Sequence, residues 1–263
     1  MIENKIVDNI RAYGAYKDSG EGRLKVLVDD IGLRMDEKAE YVIIGGCRPP
    51  EDMPHVFRAL KNSLDRLQVD YTMLSKEYCC GWVPLGQPAV MAKNEEDIAR
   101  AKELAEEFIL ENFRQAEVLG AKSIAIFCAA CEPNYSNYRH ATDLELISCD
   151  ELIDRHLKSG SLESEADYYA GCYRFRRRIT KAPRLNVEAA VRVLNKIEGL
   201  KVNYRDNTLC CYIPPHLEKL TNSLTTHKVI TICTGCYDNL KETLGSSYQV
   251  KMLTEVVWEA LQG

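Results

Sequence analysis

The sequence has no run of 18 or more apolar residues, and so no segment suited to span a membrane as a helix. Its first residues, MIENKIVDNIRAY, lack the apolar core of a secretory signal, which makes the cytoplasm the expected compartment. Basic residues are in no excess. The 34 Lys and Arg stand against 39 Asp and Glu, and a net charge of −5 offers nucleic acid no electrostatic footprint over the chain as a whole. There is no glycine-rich phosphate-binding motif. No spacing singles out a Ser-His-Asp triad. The CxxCxxCxxxCP run that binds cubane clusters is absent as well. With 46% hydrophobic and 28% charged residues over 263 positions, disorder is excluded. One large domain or two smaller ones can bury a core without disulfide help.

Cysteine is what the chain has in excess. Eleven cysteines are many for a compartment that keeps thiols reduced, where they serve more often as metal ligands or redox groups than as staples. Ten of them fall into two series with one grammar, C…CC…CxxC. The first is Cys47, Cys79-Cys80 and Cys128-Ala-Ala-Cys131, with gaps of 31 and 47 residues; the second is Cys172, Cys210-Cys211 and Cys233-Thr-Gly-Cys236, with gaps of 37 and 21. Cys149 is left over. It reads as an ordinary cysteine at a helix start, matched in the repeat by Glu255.

The surroundings repeat with the cysteines, which marks an internal duplication. Each half opens on an apolar stretch ending in Gly-Cys, YVIIGGC at 41–47 and DYYAGC at 167–172. A helical pattern follows at 53–67 and 185–197, then a short strand at 69–74 and 200–204 that leads to the double cysteine. Another strand, KSIAIFC or KVITIC, carries the CxxC. Both halves close on a strand and an amphipathic helix, at 144–157 and 249–261, with Ser148 and Thr254 in the N-cap positions. Strands alternating with helices predict an α/β protein of two pseudo-symmetric repeats, each a small, mostly parallel sheet flanked by helices. The expected organisation is an N-terminal extension over 1–40, a first repeat over 41–158 and a second over 159–263, jointed at the polar stretch 154–166. The extension has no counterpart in the second half and is expected to cover an edge or meet a partner. In such sheets, sites form beyond the carboxyl ends of the strands, where most of these cysteines lie.

Thiolates bind zinc, iron–sulfur clusters and copper. Adjacent cysteines point apart and rarely hold one ion together, and five ligands exceed the four of an ordinary cluster. The excess points to a larger or irregular cluster, with zinc in one or both halves as the alternative. The repeated pattern, carried by Gly46-Cys47, Cys79-Cys80-Gly81, Cys128-Ala-Ala-Cys131, Gly171-Cys172, Cys210-Cys211 and Cys233-Thr-Gly-Cys236, resembles the CCG-domain, or cysteine-rich domain, family and within it the B-subunits of heterodisulfide reductases. The resemblance covers roughly residues 41–263. It implies two [4Fe–4S] clusters of noncubane type, one per repeat, each held by all five cysteines and facing a cleft between the halves. It further implies reduction of a small disulfide, or oxidation of thiols, in an anaerobic complex. Electrons would come from a ferredoxin-type iron–sulfur protein, similar to the C-subunits of those reductases, and from a flavin-containing subunit. Two other readings stand beside this one. They are an electron-transfer subunit of a hydroxy-acid, succinate or quinone-linked dehydrogenase, and a zinc-stabilised assembly module without turnover.

Other residues bear on a substrate. Gly81 and Trp82 follow the first double cysteine, whereas Tyr212 takes the glycine's place after the second, in CCYIPPH, and would narrow a cleft there. The run RFRRRITKAPR at 174–184, with Arg176 and Arg177, suits an anionic thiol or disulfide, although a solvated loop or a partner-docking patch is the commoner use of such a run. His216, five residues after Cys211, is a candidate proton donor to a leaving thiolate, set against the commoner role of a capping or surface histidine.

Overall fold

The computed structural model describes residues 2–16, 20–46, 50–171, 186 and 188–263. Cys47, Cys172 and the basic run 174–184 with Arg176 and Arg177 lie outside the described residues. Two compact units divide the chain. The first gathers Met1–Pro54, Asp70–Ile126 and Cys131–Ile147; the second gathers His55–Val69, Phe127–Ala130 and Ser148–Gly263.

The first unit is built on four strands, β1 (Tyr41–Ile44), β2 (Tyr71–Met73), β3 (Ser123–Ile126) and β4 (Glu145–Ser148), in the order β2-β1-β3-β4. Val42 sits opposite Thr72 and Ile124. All residues of the first three strands are buried, as a parallel sheet covered on both faces requires. Helix α1 (Asn4–Tyr13) and the short α2 (Gly20–Leu24) precede β1. Helix α3 (Pro54–Arg66) lies between β1 and β2 in the chain but belongs, from His55 on, to the second unit. The short α4 (Gln87–Met91) and the long α5 (Glu95–Val118) stand before β3, and α6 (Glu132–Asn137) stands before β4.

Helix α5 starts where its chemistry directs. Asn94 accepts the Asp97 N–H at 3.2 Å, and Glu95, Glu96 and Asp97 place negative charge at the positive end of the helix. Its buried face, Ala101, Leu104, Ala105, Phe108, Ile109, Phe113 and Ala116, recurs every three or four residues. Val7 and Ile10 of α1 pack into the same cluster as Leu104, Phe108, Leu85 and Cys79. Residues 1–40 thus furnish part of the first unit's core, and Met35 bridges Met73 at the outer edge of β2.

The second unit repeats the arrangement. Strands β5 (Gly160–Tyr168), β6 (Ile197–Tyr204), β7 (Lys228–Thr231) and β8 (Gln249–Met252) run in the order β6-β5-β7-β8. Helices α7 (Cys149–His156), α8 (Ala189–Asn195), α9 (Pro214–Asn222), α10 (Thr234–Leu244) and α11 (Leu253–Gln262) accompany them. From α3, Phe57 packs on Phe127 with ring centroids 5.6 Å apart, and the Ser63 hydroxyl donates to the Thr254 carbonyl at 3.3 Å. Two parallel four-stranded sheets flanked by helices, in two similar halves, bear out the predicted fold class. Among the described residues no helix is long and apolar enough to cross a membrane.

Local expectations give way in three places. The polar joint expected at 154–166 is the end of α7 followed by strand β5. Residues 160–166 pair only with β6, because β7 joins the strand at Asp167, so alternate side chains there stay in solvent and polar residues suffice. Likewise, the strand expected at 200–204 starts at Ile197. Ser148 does cap α7, accepting the Glu151 N–H at 3.0 Å, but Thr254 lies inside α11. There the Glu255 carboxylate accepts the Met252 N–H at 2.8 Å. Strand ends set this register, so Cys149 corresponds to Leu253 and not to Glu255.

Candidate thiol site

Most of the described cysteines sit just beyond the carboxyl ends of parallel strands, where peptide groups run out of ladder partners and side chains from neighbouring strands converge. Cys79 and Cys80 follow β2, Cys128 and Cys131 follow β3, Cys210 and Cys211 follow β6, and Cys233 and Cys236 follow β7. Cys128 falls in the second unit with residues 127–130, and Cys131 in the first.

In the first unit the Sγ atoms of Cys80 and Cys131 lie 3.4 Å apart, both buried. Asn134 donates its side-chain amide to the Cys80 carbonyl at 3.0 Å. The turn ahead of Cys80 is pinned from several sides. Asn112 accepts the Tyr78 N–H and donates to the Tyr78 carbonyl, both at 2.8 Å, and donates to the Tyr135 hydroxyl at 2.6 Å. The Cys79 N–H donates to the Gly14 carbonyl at 2.7 Å. Gly14 closes α1 at φ 79°, and a Cβ there would fall 2.2 Å from the Glu77 carbonyl oxygen, so only glycine fits. Glu77, 2% exposed, accepts the N–H groups of Gly45 at 2.8 Å and Gly46 at 2.7 Å, and forms a salt bridge to the buried Arg23 at 3.0 Å. One carboxylate thus holds the two residues that lead into Cys47. Burial, followed by the negative charge of Glu77, Cys131 and Cys80, pushes the Tyr135 hydroxyl well above its ordinary range. Gly81 leads from the double cysteine into a turn of π-helix, Trp82–Gly86, in which Trp82 is buried.

The second unit repeats the contact. Cys211 and Cys236 bring their Sγ atoms to 3.3 Å, and Asn239 donates its amide to the Cys211 carbonyl at 2.7 Å. The thiols of Cys211 and Cys233, together with burial, push the Cys236 thiol well above its ordinary range. Tyr169 donates its hydroxyl to the Leu209 carbonyl at 2.7 Å, and the Cys210 N–H donates to His216 Nδ1 at 3.2 Å. An accepting Nδ1 puts the proton of neutral His216 on Nε2. Tyr212, half exposed, bends back to donate its hydroxyl to the Gly235 carbonyl within the CxxC turn at 3.0 Å. Cys128 Sγ lies 3.1 Å from the Thr234 hydroxyl in that same turn. Gly171, at φ 96°, lies against the CxxC; a Cβ there would meet Cys236 Sγ at 3.4 Å and Cys233 Cβ at 3.5 Å. Gly46, before Cys47, has the matching φ of 92°.

These residues suit an iron–sulfur or thiolate-bound metal group in kind. The donors are sulfur alone, the described ones are buried except for half-buried Cys233, and two thiolates this close repel unless a cation lies between them. Among the described residues no three His, Cys, Asp or Glu side chains gather closely enough to hold a metal ion by themselves. The fifth cysteine of each series, Cys47 or Cys172, lies outside the described residues. Of the residues read from sequence, the structure brings together Cys80 with Cys131, Cys211 with Cys236, Cys210 with His216, and Tyr212 with the second CxxC. Sequence reasoning missed Asn134, Asn239, Glu77 and Arg23. The two asparagines did carry a signal, for each stands three residues after the last cysteine in a repeated CxxCxxN.

Two parallel sheets with paired thiols at their strand ends define a cysteine-site protein of the α/β class. More particularly, residues 41–134 match the model of the CCG family, the cysteine-rich domain. No curated protein matches the chain. Solved structures to which it shows a distant likeness include the following three. A proposed Asp/Glu racemase from Yersinia pestis is 12% identical, with 87% of this chain and 97% of that chain covered and a TM-score of 0.37. An aspartate racemase homologue from Pyrococcus horikoshii OT3 is 13% identical, with coverage of 85% and 97% and a TM-score of 0.33. Glutamate racemase isoform RacE1 from Bacillus anthracis is 10% identical, with coverage of 88% and 81% and a TM-score of 0.36.

Proposed function

We propose that the chain is the iron–sulfur subunit of a cytoplasmic, anaerobic redox complex that reduces a disulfide, or oxidises thiols in reverse. The matched thiol pairs of the two units, one of them in the stretch that matches the cysteine-rich domain, carry this reading. Cys47, Cys79, Cys80, Cys128 and Cys131 would hold one [4Fe–4S] cluster of noncubane type, and Cys172, Cys210, Cys211, Cys233 and Cys236 a second. When bound, such clusters supply one-electron transfers to sulfur. The chain's own part is to bury the thiols from water, hold the double cysteines in place through Asn112 and Tyr169, and keep Tyr212 over the second CxxC turn. Lacking a cubane-binding run, the chain depends for electrons on a ferredoxin-type iron–sulfur partner and a flavin-containing protein.

The deciding measurement is iron, zinc and inorganic sulfide in anaerobically purified chain. About eight irons with matching sulfide are expected if each half holds four, and Cys80→Ser or Cys211→Ser should deplete the cluster of its own half first. Stoichiometric zinc with negligible sulfide would sink the reading in favour of a zinc-stabilised module. A second expectation concerns the substrate. Tyr212→Gly should widen the range of disulfides reduced while iron content stays intact, and changing Arg176 with Arg177 to Ala should weaken anionic disulfides more than neutral ones. Unchanged kinetics in both variants would leave the chain an electron conduit only.

A further inference from the structure

The two units share a contact that the cysteine grammar does not contain. Asn134 and Asn239 stand three residues beyond Cys131 and Cys236, on the helices α6 and α10 that each CxxC leads into. Residues i and i+3 lie on one helix face. Cys131, the residue before α6, and Cys236, in the first turn of α10, thus bring a thiol alongside the amide, and the double cysteine meets both. Its second thiol faces the CxxC thiol at 3.4 or 3.3 Å, and its carbonyl receives the amide at 3.0 or 2.7 Å. The carbonyls belong to buried Cys80 and Cys211, in turns outside any strand or helix, where an unmatched acceptor is costly. An amide supplies the donor without adding charge beside the thiols. The same two-point contact occurs in both units, with Asn134 buried and Asn239 half-buried.

We propose that Asn134 and Asn239 are the positioning residues of the two thiol sites, each holding the second cysteine of its double cysteine in line with the last cysteine of its CxxC. The proposal deepens the functional reading above, since the thiols so held are the ones that would carry the clusters, but its first test needs no metal. In the full-length, metal-free chain, mild oxidation with diamide should form Cys80–Cys131 and Cys211–Cys236 disulfides, followed by peptide mapping. Asn134→Leu should slow the first at least tenfold and leave the second at its wild-type rate; Asn239→Leu should do the reverse. Asn134→Asp and Asn239→Asp, which keep the size and lose the donor, should show the same half-specific pattern, and they decide the matter if the leucine variants fail to fold. Rates unchanged in all four variants, or slowed equally in both halves by either substitution, would overturn the proposal. Iron-loaded protein supplies the second readout. Each variant should alter the electron paramagnetic resonance signal of its own half alone, and identical signals from wild type and variants would also overturn it. Half-specific oxidation in a chain that binds zinc and no iron supports the asparagine assignment and removes the iron–sulfur reading, so the two fail separately.

Discussion

Glu77→Ala should destabilise the metal-free chain by about 3–5 kcal/mol, the cost of breaking a buried ion pair from one side. Three groups lose their acceptor at once. The Arg23 guanidinium, 6% exposed, is left charged and buried, and its Nε already has no hydrogen-bond partner. The N–H groups of Gly45 and Gly46 lose the carboxylate oxygens at 2.8 and 2.7 Å. For a domain of ordinary stability this is a large share of the total. Glu77→Gln should cost less, since it keeps one oxygen for a glycine N–H while giving up the charge that answers Arg23. Urea unfolding at neutral pH measures both. A loss below about 1 kcal/mol for the alanine variant, within the range of an exposed pair, would mean that water replaces the carboxylate and that Glu77 does not hold the turn before Cys47.

Asp150→Asn should stabilise the chain at pH 8 and do little near pH 3.5. Asp150, in the first turn of α7, is 8% exposed, and burial raises its carboxyl from the ordinary 3.8 to about 7. Well below pH 3.8 the carboxyl is protonated in folded and unfolded chain alike, and the shift costs nothing. Between about 4 and 7 the unfolded chain releases the proton while the folded chain keeps it, so stability falls as pH rises; above 7 the folded chain bears a buried charge and the cost is complete. Three pKa units at about 1.4 kcal/mol each set a ceiling of about 4 kcal/mol. Asparagine keeps the shape and never ionises. Thermal midpoints of the two proteins across pH 3.5 to 8 should therefore diverge through this window, and parallel curves would show the carboxylate to be well solvated in the fold.

The periodic features were legible because they are local. Apolar runs ending at Gly46, Phe127, Gly171 and Ile232 mark strands leading into cysteines, and the doubled grammar predicts two alike sheets, which the strand orders bear out. What escaped depends on chain pairing at long range. Nothing beside Glu77 in sequence announces that Arg23, 54 residues earlier, neutralises it, or that Gly45 and Gly46 need its oxygens. The joint at 154–166 misled for the opposite reason, since a strand paired on one side can stay polar along most of its length. Thr254 looked like a cap by composition, but a cap is fixed by where the strand stops, and β8 stops at Met252. The asparagines were visible as CxxCxxN yet had no meaning until their amides were seen to end on the carbonyls of Cys80 and Cys211.

The strand order has a consequence for how the protein is made. In each sheet the last strand in sequence is an outer one, β4 at 145–148 or β8 at 249–252. A chain leaving the ribosome has all four strands of its first sheet about 100 residues before it has those of its second, roughly 5 to 20 s of synthesis. Through most of that interval Cys80 and Cys131 can already face each other while Cys236 has yet to be made. Scavenging of thiols by oxidants, or delivery of metal during translation, would thus reach the two sites as an early and a late target.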